Sequence, residues 1–153
     1  MALYELLDAN SIVPNLAAET KDAAIEELVD VLDRAGRVSD RNAVLDAVFE
    51  RERAMSTGLE DGIAVPHAKS GAVSALTAAL GIKREGLDFE SVDGKPTRIV
   101  FLLIAELNNP GPHVRALAKL ARLLSDPETR AALINAATAE DILGIIKQRE
   151  LVE

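Results

Sequence analysis

The run Arg98-Ile99-Val100-Phe101-Leu102-Leu103-Ile104-Ala105 limits what this chain can fold into more than any other segment. Its apolar residues follow one another without a polar alternate, so a strand built from them has two faces to hide from water. It is far too short to cross a bilayer, which leaves a central strand covered by helices on both sides. The chain is 48% apolar but holds only three Phe and one Tyr, so its core must come from Leu, Val, Ile and Ala. That composition suits helices packed on a sheet.

The flanking segments fit this frame. Lys21 to Ala35 has apolar residues at Ala24, Ile25, Leu28, Val31 and Leu32, a helical period, and stops at Gly36. A second helix is expected from Asp40 to about Arg53, capped by Ser39, with Val44, Leu45, Val48 and Phe49 inward. Leu76 to Ile82 reads as a strand, and Asp93-Gly94 marks a tight turn before the central strand. A helix opening near His113 is expected to bury Val114, Leu117, Leu120, Ala121 and Leu124. Asp126-Pro127 then gives a cap with proline at the first helical position, and Thr138-Ala139-Glu140-Asp141 is a near capping box. The fold class is α/β: helices, a small sheet, and helices again.

At 153 residues the chain is expected to form a single domain, 1–153, that needs no metal or disulfide. It has no cysteine, which excludes thiolate chemistry and sulfur-based zinc sites. A net charge of −8 argues against nucleic acid or an anionic membrane as partner and favours a protein with a basic face. The amino terminus shows no signal peptide, so a cytoplasmic protein without membrane insertion is expected.

Only two histidines are present, and both stand where a ligand could reach them. His67 follows Ile63-Ala64-Val65-Pro66, where proline is expected to stop a short strand and present the imidazole at its end. An imidazole titrates near neutrality and can serve as base, ligand or nucleophile. A histidine at a strand end can equally do no more than hydrogen-bond a nearby carbonyl. Ser56, Thr57, Gly58 and Gly62 offer hydroxyls and open backbone amides of the kind that hold an anion.

His113 lies in Asn108-Asn109-Pro110-Gly111-Pro112-His113, after the central strand and at a helix start. The helix field there favours an anion and lowers the affinity of the ring for a proton. A neutral His113 could donate to a phosphoryl oxygen; the alternative is a helix-opening residue satisfied by water. Arg51 and Arg53 are the nearest fixed cations, able to hold two phosphate oxygens or to pair with Glu50 or Glu52. Few carboxylates accompany the histidines, so a metal site has little support and no cofactor is expected.

Arg51-Glu52, Ser56-Thr57-Gly58 and Gly62-Ile63-Ala64-Val65-Pro66-His67-Ala68 together resemble the fructose/mannitol-type (type 2) enzyme IIA domain of the bacterial phosphoenolpyruvate-dependent sugar phosphotransferase system. That group includes a nitrogen-regulatory paralogue. The similarity continues through Asp93-Gly94-Lys95-Pro96 and the central strand to His113 with Leu117, Leu120 and Leu124. It implies a small mixed sheet flanked by helices on both sides. It implies that His67 accepts a phosphoryl group from the phosphocarrier protein HPr, that His113 is the second catalytic histidine, and that Arg51, Ser56 and Thr57 stabilise the phosphoryl group. It implies that the group then passes to a cysteine of an enzyme IIB partner. The alternative within the family is a regulatory protein whose phosphorylation controls its binding to other proteins. The lack of an attached IIB or membrane segment leans toward that role or toward a stand-alone carrier.

Overall fold

The apolar run forms strand β5 (Thr97–Glu106) at the centre of a five-stranded mixed sheet. The computed structural model describes residues 2–109 and 111–152, so Pro110 of the loop before His113 lies outside the description. β5 pairs antiparallel with β4 (Thr77–Leu87), and β4 pairs parallel with the short β1 (Ile12–Val13). Gly94, at a φ of +73°, takes the tight turn expected of Asp93-Gly94 between β4 and β5. On its other side β5 receives two short parallel segments in succession, β2 (Ile63–Ala64) and β3 (His67–Ser70).

Those two segments are one strand with a break in it. Ile63 pairs with Ile99 and His67 with Leu103, so the register is the same before and after Val65-Pro66. Proline lacks an N–H, yet its carbonyl still accepts from Leu103 N at 3.0 Å. Its nitrogen faces the same neighbour, so the ladder with β5 lacks one donor there. The sequence expectation that the strand stops at Pro66 is therefore corrected: pairing lapses for two residues and resumes, and His67 opens the second segment rather than ending the first.

Among the described residues, six α-helices lie on the two faces of this sheet. They are α1 (Leu3–Leu6), α2 (Lys21–Arg34), α3 (Arg41–Ala54), α4 (Gly111–Leu124), α5 (Pro127–Asn135) and α6 (Ala139–Val152). Side chains alternate along β5. Ile99, Phe101 and Leu103 pack against Leu120 and Leu124 of α4, Leu133 of α5 and Ile142 and Ile146 of α6. Val100, Leu102 and Ile104 pack against Ile25 and Leu28 of α2 and Val44 and Val48 of α3. Ala68 belongs to the second layer, so its neighbours His67 and Lys69 lie on the α4 side of the sheet.

Two helix details differ from the sequence reading. Asp40, not Ser39, caps α3, accepting from Ala43 N at 3.1 Å, because the Ser39 hydroxyl donates to Ala72 O instead. Helix α4 buries His113, Ala116, Leu120, Leu123 and Leu124. Since His113 takes the inward position, Val114 turns one hundred degrees away and is 65% exposed, and Ala121 is exposed with it. The other ends are as read: Gly36 lies just past α2 at a φ of +75°, Asp126 caps α5, and Asp141 N donates to Thr138 Oγ1 at 3.1 Å.

Leu102→Ala removes a fully buried side chain at the sheet centre. It is expected to lower stability by about 2–5 kcal/mol, read from urea unfolding. A loss within experimental error would contradict the two-sided burial of β5.

Candidate active site

His67 is tied down by its own strand break. Its Nδ1 lies 2.7 Å from the carbonyl oxygen of Val65, two residues back. A carbonyl can only accept, so Nδ1 carries the ring proton and Nε2 keeps its lone pair. The ring is half-buried, and the carbonyl is free to serve it because Val65 directs its backbone groups away from β5, as its N–H to Thr57 O shows. The sequence reading of His67 as a residue that bonds a nearby carbonyl is met at Nδ1, and this contact leaves Nε2 uncommitted to Val65.

His113 stands beside it. The two ring centroids are 5.1 Å apart with 65° between the planes. His113 is 6% exposed, and among the described residues its buried Nε2 has no hydrogen-bond partner. Burial, then the charges of His67 and Lys69, hold its pKa below the usual histidine value. A neutral ring with an unmatched buried nitrogen is what an incoming anion would satisfy.

Arg51, in the last turn of α3, is the fixed cation at this place. Its Nη1 donates to Met55 O at 3.0 Å, which caps the helix end, and among the described residues no carboxylate pairs with it. One recess next to the histidines is lined by Arg51, His67, Lys69 and His113. On the other side of His67 a cavity of about 600 Å³ runs between Arg51, Met55, Leu59 and the flank of α4 at Leu117 and Leu120. Both open beside the same imidazole.

The segment between α3 and β2 follows from local constraints. Gly58 is required by close approach, because a Cβ there would stand 2.7 Å from Phe89 O and 2.9 Å from Ser91 Oγ. Asp61 and Gly62 both adopt left-handed angles, +63° and +77°, which turns the chain back into β2. The Ser56 hydroxyl donates to Phe89 O at 2.7 Å and accepts from Gly58 N at 3.1 Å. Thr57 is buried, and both its N–H and its hydroxyl go to the carboxylate of Glu52.

Residues 5–149 match the family described as "Phosphoenolpyruvate-dependent sugar phosphotransferase system, EIIA 2". The chain belongs to this family. It is 39% identical over 98% of its length to the fructose-specific EIIABC component of Bacillus subtilis, of which it spans about a quarter (24%). It is 38% identical to the fructose-specific EIIA component of Haloferax volcanii, with 84% of each covered. Among solved structures, the nitrogen regulatory protein IIA-Ntr of Neisseria meningitidis superposes with a TM-score of 0.87 at 32% identity, covering 94% of this chain and 98% of that one. The mixed sheet with helices on both faces is the fold this EIIA 2 membership implies.

The residues singled out in the sequence divide into two groups. His67, His113 and Arg51 line one recess, while Ser56 and Thr57 line the cavity on the other side of His67 with their hydroxyl protons already committed elsewhere. Glu52 does not pair with Arg51. Its buried carboxylate lies 2.9 Å from Lys21 Nζ at the start of α2. Sequence reading took Glu52 only as a possible partner for an arginine and passed over Lys69, although both left a signal. Glu52 continues the inward series Val44, Val48 at a spacing of four, and Lys69 shares the face of His67 by strand alternation. Among the described residues there is no group of three or more metal-ligating side chains, and no helix long and apolar enough to cross a membrane.

The lowered pKa of His113 fixes the sign of a pH effect. Unfolded, the ring binds a proton near pH 6.5; folded, it does so only at lower pH. Between the two the unfolded chain holds more protons, so the stability tied to neutral His113 is complete above about pH 6.5 and declines below it. Urea unfolding at several pH values is expected to show a shallower acid decline for His113→Gln than for the wild type. Equal declines would contradict the buried neutral ring.

Proposed function

We propose that this chain is a phosphocarrier that accepts a phosphoryl group on His67 from an HPr-type phosphocarrier protein and passes it to an enzyme IIB component. The observation that carries the proposal is the Nδ1 to Val65 carbonyl hydrogen bond, which leaves Nε2 as the ring nitrogen able to attack. The Nε2 lone pair forms the new bond to phosphorus as the bond to the donor's imidazole nitrogen breaks, and the leaving imidazole takes that electron pair. The ring proton stays on Nδ1, where the Val65 carbonyl stabilises the positive charge that grows on the ring as the bond forms. Forward transfer to the IIB nucleophile is the same displacement with the roles exchanged.

Phosphoryl transfer asks the protein mainly for positioning and for charge stabilisation. A phosphoryl group brings roughly −1.5 to −2 charge onto a chain whose net charge is already −8. In the proposed role Arg51 and Lys69 supply the local positive charge, and neutral His113 donates its orphaned N–H to a phosphoryl oxygen. Ser56 and Thr57 stabilise the phosphorylated site through the loop they hold in place, since their hydroxyl protons are spent on Phe89 O and Glu52. The exposed Met55 and Val92 near His67 give a docking protein apolar surface to cover. The proposed unit is the whole segment 1–153, acting in the cytoplasm with no cofactor.

The fructose-specific names of the Bacillus subtilis and Haloferax volcanii relatives support a fructose-type IIB acceptor. A second reading, control of regulatory partners by phosphorylation state, draws support from the likeness to the Neisseria meningitidis IIA-Ntr structure.

Incubation with phosphoenolpyruvate, enzyme I and HPr is expected to add the mass of one phosphoryl group to the wild type and none to His67→Ala. An undiminished adduct on the variant would overturn the assignment. His113→Ala is expected to accept the group more slowly; an unchanged rate would remove His113 from the site. Onward transfer to a fructose-type IIB domain separates the carrier from the regulatory reading.

A further inference from the structure

A chain of polar contacts runs from a buried ion pair to the His67 ring. Lys21 Nζ lies 2.9 Å from Glu52 Oε2. The Glu52 carboxylate accepts from Thr57 N at 3.2 and 3.1 Å and from the Thr57 hydroxyl. The Thr57 carbonyl accepts from Val65 N at 3.1 Å, and the Val65 carbonyl accepts from His67 Nδ1 at 2.7 Å. Neither Lys21 nor Glu52 lines the recess beside the histidines or the cavity on the other side of His67.

We propose that the Lys21–Glu52 pair is a positioning device that sets the tautomer of His67 through Thr57 and Val65. The proposal rests on the reading of His67 Nε2 as the attacking nitrogen.

Three observations carry it. First, Glu52 occupies an apolar helix face, in series with Val44 and Val48, where an apolar side chain of similar size would serve packing alone. A carboxylate at that place answers a need for acceptors, and it meets three donors at once: one ammonium and the two of Thr57. A glutamine there has one acceptor oxygen, and its NH2 would face the Lys21 ammonium. Second, Thr57 joins the Glu52 carboxylate of α3 to the break in the edge strand, since Val65 N donates to Thr57 O. If Thr57 shifts, Val65 N loses its acceptor, Val65 is no longer held, and the Val65–Pro66 peptide that carries the carbonyl is free to turn. Third, the orientation of that peptide decides where the ring proton sits. Free histidine prefers its proton on Nε2, so without the Val65 carbonyl the proton would go to the nitrogen that must attack. Lys21 is itself fixed at several points, 3.6 Å from Glu90 Oε2 and 5.2 Å from the centroid of Phe89.

The test uses the full chain labelled with nitrogen-15. Long-range proton–nitrogen spectra, recorded well above the ordinary imidazole pKa of about 6.5, show which ring nitrogen of His67 is protonated. The rate of phosphoryl acceptance from phosphorylated HPr is measured on the same samples. Wild type is expected to show a protonated Nδ1 and a bare Nε2. Glu52→Gln is expected to shift His67 toward a protonated Nε2 and to slow acceptance about tenfold, the size of effect typical for outer partners that orient a histidine. Glu52→Asp keeps the charge but withdraws it from Thr57, so it is expected to act in the same direction, and it takes the place of the glutamine variant should that one not fold. A wild-type His67 ring signature in a folded variant overturns the proposal, whatever its rate. Failure of the wild type itself to accept phosphate would instead overturn the proposed function, and the ring spectra would still decide whether the ion pair sets the tautomer.

Discussion

The hydrogen bond from His67 Nδ1 to the carbonyl of Val65 is the contact on which the site depends, and it exists because Val65 turns its backbone polar groups away from β5. Successive carbonyls along a strand point to opposite sides, so with Pro66 O held by Leu103 N the Val65 carbonyl points away from β5. Pro66 brings no N–H and holds its own carbonyl against Leu103 N, so pairing lapses for two residues without a change of register. The Val65 carbonyl, on the side away from β5, meets the ring that follows it. Pro66 thus breaks the ladder and the Val65 carbonyl orients the imidazole, while the continuous β5 beneath keeps the break from spreading.

Around that contact the two faces of the sheet contribute differently. The α4 face brings His113, buried and neutral, to within 5.1 Å of the His67 ring centroid. The α2–α3 layer brings Arg51 from the end of α3 and, one residue on, the Glu52 carboxylate that fixes the approach loop. Adjacent residues on one helix turn therefore do opposite jobs: Arg51 looks into the recess and Glu52 into the interior. An acidic chain can host an anion here because these fixed groups act over a few ångströms, whereas the net charge acts through water and is screened within about 8–10 Å.

Much of this was legible in the residues. The apolar run of β5, the stop at Gly36, the Asp126-Pro127 cap and the Asp93-Gly94 turn each carry a local physical signal, and each stands where that signal puts it. The two histidines could be found because so few residues of their kind are present and both follow strands. What escaped depends on partners distant in sequence. Ser39 looked like a cap until Ala72 O claimed its hydroxyl. Val114 looked like core because a histidine was not expected to take the inward position on α4. The hydroxyls of Ser56 and Thr57 looked free, and only the fold shows Phe89 O and Glu52 receiving them. Proline reads as a terminator from sequence, and no local rule says that the same register resumes beyond it.

The proposed phosphoryl acceptance and the geometry meet at one atom, the Nε2 of His67. Nitrogen-15 spectra of the phosphorylated protein, with phosphorus coupling resolved at each ring nitrogen, test that meeting most directly. Phosphorus bonded to Nε2 of His67, with Nδ1 still protonated, is the expected result. Phosphorus on Nδ1, or on His113, would contradict it.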